Sequence, residues 1–197
     1  PAAQRLRQSD IPVVETWESV ENPVDMVVGF SHRQVGRAVA EYFLAKGWTR
    51  VGLAIGDDRR AVMRAEAFRA AMGREVPTAV VPAPSSVASG RRACAELLKN
   101  HPDLQAVCCS SDGLAEGVLT EARVQGWRVP DDVAVCGFGG ADFSAHLAPS
   151  LTTVHIDGAR IGELAAQLLM ARFAGQDVLE RTIDVGFEIV ERESTRT

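Results

Sequence analysis

Residues 106–138, AVCCSSDGLAEGVLTEARVQGWRVPDDVAVCGF, hold one complete round of the pattern that decides the fold. A short β-rich run at 106–109 leads to Ser111 and Asp112, residue types whose side-chain oxygens accept the unpaired amides of a helix start. Leu114, Val118 and Ala122 then recur on one helical stripe as far as Gly126, where a residue able to take the left-handed conformation closes the helix. A polar turn follows, and a second β-rich run occupies 133–138. Strand, helix and strand in this order predict parallel neighbours in a sheet.

The same alternation extends outward in both directions. Further candidate strands lie at 11–14, 26–30, 51–55, 78–81, 152–155 and 183–190. Between them, Val35, Val39, Tyr42 and Phe43 form one helical stripe over 34–46, and Val62, Ala65, Phe68 and Met72 another over 60–72. Val87, Cys94, Leu97 and Leu98 align after Ser85-Ser86, and Ile161, Leu164, Ala165, Leu168 and Phe173 align near the end. Gly47, Gly73 and Gly175 stop three of these helices as Gly126 stops the fourth. The expectation is an α/β fold with parallel sheets covered by helices on both faces. No repeat or linker stands out, and Pro82-Ala83-Pro84-Ser85-Ser86 is short enough to be a strand-to-helix loop.

Composition narrows the function. The 197 residues are 46% hydrophobic and 24% charged, enough for a sizeable core, and the net charge of −5 weighs against this stretch itself gripping DNA phosphates. No apolar run approaches the roughly 20 residues that span a bilayer, and the start lacks the apolar core of a signal peptide, so the chain is expected in the cytoplasm, away from membranes. Cys94, Cys108, Cys109 and Cys136 show no C-x-x-C spacing and read as buried thiols, and the four histidines are scattered, so neither a disulfide framework nor a metal site is expected. There is no P-loop, no G-x-S-x-G elbow and no H-E-x-x-H. Gly137-Phe138-Gly139-Gly140 follows a strand but lacks the G-x-G-x-x-G spacing, and Asp57-Asp58 and Asp131-Asp132 are adjacent pairs of the kind that mark loops and caps. The reading is a binding protein, not an enzyme, with no cofactor.

Six segments in order resemble the lactose-repressor (LacI/GalR) family: Val28-Gly29-Phe30-Ser31-His32 with Gly36-Arg37-Ala38; Gly47-Trp48-Thr49-Arg50-Val51-Gly52; Arg64-Ala65-Glu66-Ala67-Phe68; Ala106 to Asp112; Val129 to Phe138; and Ala148-Pro149-Ser150-Leu151-Thr152-Thr153-Val154 followed by Ile161-Gly162. The wording is most similar to gluconate-type repressors. The resemblance implies a periplasmic-binding-protein-like fold of two doubly wound parallel-sheet lobes, with a sugar or sugar acid held between them. It places the crossovers near Trp48, at His155-Ile156 and near Asp184, so that the first lobe is 1–47 with 157–183 and the second 48–156 with 184–197. The first lobe is then incomplete, and a helix-turn-helix that reads operator DNA is expected upstream of Pro1. A homodimer is implied as well.

The family position that reaches the effector is matched by Arg64, whose guanidinium can hold a carboxylate with two parallel bonds. Departures are equally informative. Ser31 and Gly139 stand where many sugar-binding members carry Asp, and Ser111 stands where Asn is usual. Loss of two carboxylates beside Arg64, with His32 and Arg33 near in sequence, favours an anionic effector such as gluconate. His32 either touches it or caps its helix; Phe138 floors the site or packs beneath it; Trp17 stacks on a sugar ring or belongs to the core; Asp157 accepts a ligand hydroxyl or orients the hinge. The alternative is a periplasmic sugar-binding transport receptor, which would carry a hydrophobic leader in place of a DNA-reading head.

Overall fold

A computed structural model describes residues 2–9 and 11–196. In chain order the elements are α1 (Ala2–Arg7), β1 (Val14–Thr16), β2 (Met26–Gly29), α2 (His32–Ala45), β3 (Val51–Gly56), α3 (Arg59–Met72), β4 (Thr78–Val81), α4 (Val87–Asn100), β5 (Ala106–Cys109), α5 (Asp112–Val124), β6 (Ala134–Gly139), β7 (Thr152–His155), α6 (Gly158–Phe173), β8 (Thr182–Asp184) and β9 (Glu188–Val190). Short 3-10 turns at Asp142–His146 and Glu193–Thr195 complete them. Every predicted helix is present, and Gly47, Gly73, Gly126 and Gly175 all adopt positive φ at the ends they were expected to close.

The described residues form two compact units, Pro1–His32 with Ile156–Phe187 and Arg33–His155 with Glu188–Thr197. The first contains a parallel three-stranded sheet in the order β1-β2-β8. The second contains six strands in the order β4-β3-β5-β6-β7-β9, parallel except where β9 runs antiparallel to β7. Side chains of its strands alternate between two helical layers. Leu53, Ile55, Cys108 and Phe138 share a face with Val39 of α2 and Phe68 of α3, while Ala54, Val107 and Val135 pack with Leu97 of α4 and Leu114 of α5. Both faces are therefore apolar, and β3 is buried along its whole length.

Four expectations change. The first strand lies at 14–16 instead of 11–14, because pairing of Val14 with Met26 fixes where the ladder begins. The predicted strand 183–190 is two strands of two different sheets. Asp184 Oδ1 accepts the amide of Gly186 at 2.8 Å, and Gly186 takes φ +67, which turns the chain between them. β9 is antiparallel, against an all-parallel expectation. Finally, packing cuts the chain at 32/33 and 187/188, where the sequence reading cut it at 47/48 and near Asp184, so α2 counts with the second unit. The reason is aromatic and polar: the Phe43 ring meets Phe68 edge-on at 5.8 Å and Trp48 at 5.4 Å, and the Tyr42 hydroxyl donates to Glu191 at 2.8 Å. All four cysteines are free thiols; Cys94, Cys109 and Cys136 are buried and Cys108 half-buried.

Candidate functional site

Because β3 to β7 are parallel neighbours, their carboxyl ends come out on one edge of the second sheet, together with the starts of α3, α4 and α5. Such an edge gathers unpaired amides and loop side chains, and is where ligands bind in open α/β sheets. Arg64, in the second turn of α3, rises to this edge. Its backbone is held against α2 at Gly36, where any Cβ would collide with the Arg64 carbonyl. Its guanidinium carbon lies 3.8 Å from the centre of the Phe138 ring, and Nη2 donates to the Ser110 carbonyl at 3.0 Å. Ser110 is fixed in turn, since its hydroxyl accepts the Gly56 amide at 2.9 Å.

Burial pulls the Arg64 pKa down to about 10, against the opposing field of Asp58. The group remains a cation at neutral pH, but a desolvated one, which strengthens any bond it makes to an anion. Asp58, whose field reaches Arg64, caps α3 with Oδ1 by accepting the Ala61 amide at 3.0 Å, and Oδ1 of the adjacent Asp57 accepts the amide of Ala83 at 2.8 Å. Beneath Arg64 and Phe138 lies a small apolar cavity of about 20 Å³, lined by Val35, Val39, Ala61 and Cys108 among others. It is no larger than a water molecule needs and offers few polar partners, so the metabolite-sized surface is the edge above it.

The loop that follows Phe138 is organised by a residue the sequence reading left as a cap. Asp112 is buried at 3% exposure; its Oδ1 accepts the Thr153 hydroxyl at 2.6 Å and its Oδ2 the Ala141 amide at 2.6 Å. Burial raises its pKa, and these hydrogen bonds pull the other way. Gly139 and Gly140 above it take φ +122 and +73. Ser111 is the N-cap of α5, accepting the Leu114 amide at 3.2 Å, and its hydroxyl lies 3.0 Å from that of Ser85. His155 ends β7 in register with Gly139 and is exposed.

The remaining predicted residues sit in the first unit. Trp17 follows β1 with φ +71, an uncommon backbone conformation for a bulky side chain, and is 39% exposed. Its ring is edge-on to Phe30 at 6.4 Å and lies over Gly158, the first residue of α6. Asp157 caps that helix by accepting the Arg160 amide at 2.8 Å. Ser31 is half-buried, and His32 is buried with its ring 4.7 Å from Phe30. Arg33 pairs with Glu66 at 3.6 Å, so the positive field expected from the 32–33 pair is partly cancelled. Arg64, Phe138, Gly139 and Ser111 thus share the edge of the second unit, and Trp17 and Asp157 meet at Gly158 in the first. Ser110, Asp112 and His155 were missed as site residues. Ser110 acts through its carbonyl, which no residue type advertises, and the closeness of His155 to Gly139 is a matter of strand register.

The periplasmic binding protein-like domain matches residues 40–195. The HTH-type transcriptional regulator GntR of Pseudomonas aeruginosa is 36% identical over 204 residues, covering 98% of this chain and 58% of that protein. The crystal structure of a LacI-family transcriptional regulator from Silicibacter pomeroyi superposes with a TM-score of 0.94 at 29% identity, over 100% of this chain and 61% of that one. A complex of the transcriptional regulator CelR with cellobiose superposes with a TM-score of 0.80 at 27% identity, over 93% and 58%. The chain spans somewhat more than half the length of the curated relative, 58%. No described helix is long and apolar enough to cross a membrane.

Proposed function

Because the chain belongs to the periplasmic binding protein-like domain family, in the form found in LacI-type regulators, we propose that it is the effector-sensing part of a transcriptional repressor and that its effector is a sugar acid of the gluconate kind. The observation that carries the proposal is the desolvated guanidinium of Arg64, stacked on Phe138 at an edge where position 139 has no side chain and the neighbouring acids are spent on amides. A carboxylate placed there gains charge-assisted bonds and meets no acid at position 139; a neutral sugar gains less. The cellobiose complex of CelR supports a saccharide-sized ligand for this fold.

Occupancy then shifts the population between two conformations by the difference in affinity of the ligand for each, and so alters operator binding. The HTH-type name of the Pseudomonas relative supports a DNA-reading part elsewhere in the whole protein. On this reading the whole protein works as a homodimer in the cytoplasm. The effector is bound and released unchanged, with no cofactor.

Calorimetric titration with gluconate and with glucitol, which replaces the carboxylate by a hydroxymethyl group, tests the reading. Gluconate should bind and glucitol should not, and Arg64→Ala should weaken gluconate on the order of tenfold to a hundredfold, the worth of one or two hydrogen bonds to a charged group. Binding of glucitol alone would overturn it.

A further inference from the structure

With glycine at positions 139 and 140, this loop has no side chain to read a ligand's hydroxyls. The backbone of both glycines is in conformations that L side chains rarely adopt. At Gly140 space is also absent, since a Cβ would fall on the imidazole of His155, against Nδ1 and 3.0 Å from Cγ. The place of a side chain on this loop is thus taken by a ring from the neighbouring strand. Among the described residues no side-chain hydrogen bond engages that ring, and the residue is exposed.

Strand alternation fixes which side of the edge it serves. Phe138 and its register partner Val154 face α2 and α3, where Arg64 lies. Thr153 faces α5, through its bond to Asp112, and His155 follows it by two residues on the same side. Arg64 and His155 therefore flank the Phe138–Gly139 segment from opposite faces. The two groups thus stand on either side of one short segment.

Building on the sugar-acid reading of Arg64, we infer that His155 is a specificity-determining ligand contact that reads the hydroxyls at the far end of the acid. Its two ring nitrogens can hydrogen-bond sugar hydroxyls, and an imidazole never carries the negative charge with which an Asp in this place would repel the ligand's carboxylate.

Two acids of different length separate this contact from the one at Arg64: gluconate, with six carbons, and glycerate, with three, titrated into the intact chain. In His155→Ala gluconate affinity should fall on the order of tenfold while glycerate affinity stays as in the wild type, the cost of one lost hydrogen bond in a polar site. His155→Gln, which retains a donor and an acceptor, should recover most of the loss. Equal gluconate affinity in His155→Ala and wild type would overturn the inference and leave the Arg64 reading standing, provided Arg64→Ala still loses binding. Parallel loss of both acids in His155→Ala would also overturn it, as a general disturbance of the edge. Failure of the wild type to bind either acid would remove both readings together.

Discussion

The two units obey the same strand-and-helix grammar yet differ in how completely they bury it. In the second, six strands lie between two helical layers, and Phe43, Phe68, Leu53 and Leu114 are almost wholly removed from water. In the first, only β2 of three strands is buried along its length. Met170 and Phe173 of α6 are 64% and 70% exposed, and Leu179 is 98% exposed. The difference shows that an apolar helical stripe is only an offer of burial. It stabilises the fold where another layer accepts it, and among the described residues that layer is supplied in full to the second unit and only in part to the first, in a chain that spans 58% of its curated relative. It also bears on the site, because the edge that carries Arg64 belongs to the well-buried unit.

The largest expected contrast between the units is in a pair of truncations. Phe68→Ala should cost about 3–5 kcal/mol in urea unfolding, whereas Met170→Ala should change stability by less than about 0.5 kcal/mol. Equal costs would mean that the first unit is packed as tightly as the second. A smaller effect probes the polar heart of the second unit. Asp112→Ala leaves the Ala141 amide and the Thr153 hydroxyl without their acceptor and should cost roughly 2–3 kcal/mol. It should also speed amide exchange at Ala141 without touching the exchange of β2, and an unchanged Ala141 rate would remove the role given to Asp112. The finest comparison uses one cap from each unit. Ser111→Ala and Asp157→Ala should each cost about 1 kcal/mol of local helix stability. Exchange measured along α5 and α6 should show fraying confined to the first turn in α5 and spreading further in α6, which has fewer buried residues to hold it.

Much of the fold was legible because its signals are local. Strands 78–81, 106–109 and 152–155 lie where β-rich runs predicted them, and Ser111 caps the helix it was expected to begin. The site was legible in part. Arg64 was identified by resemblance, and strand alternation explains why Phe138 lies under it, but the sequence reading left open whether Phe138 floors the site. His32 was read either as a contact or as a cap before its helix; it is the first residue of α2 and is buried, its ring 4.7 Å from that of Phe30. Asp112 looked like any acid at a helix start. Its partners, Ala141 and Thr153, are 29 and 41 residues away, beyond the reach of any local pattern.

Sequence alone determined the alternation of strands and helices, the glycines that end the helices and the family to which the chain belongs, since φ preferences, caps and side-chain periodicity act within a dozen residues. Tertiary structure decided that 183–190 divides between two sheets, that β9 runs antiparallel, and that Arg64, Asp112 and His155 gather around the Phe138–Gly139 segment. Those outcomes depend on hydrogen bonds and packing between strands far apart in the chain, where register sets which side chains meet.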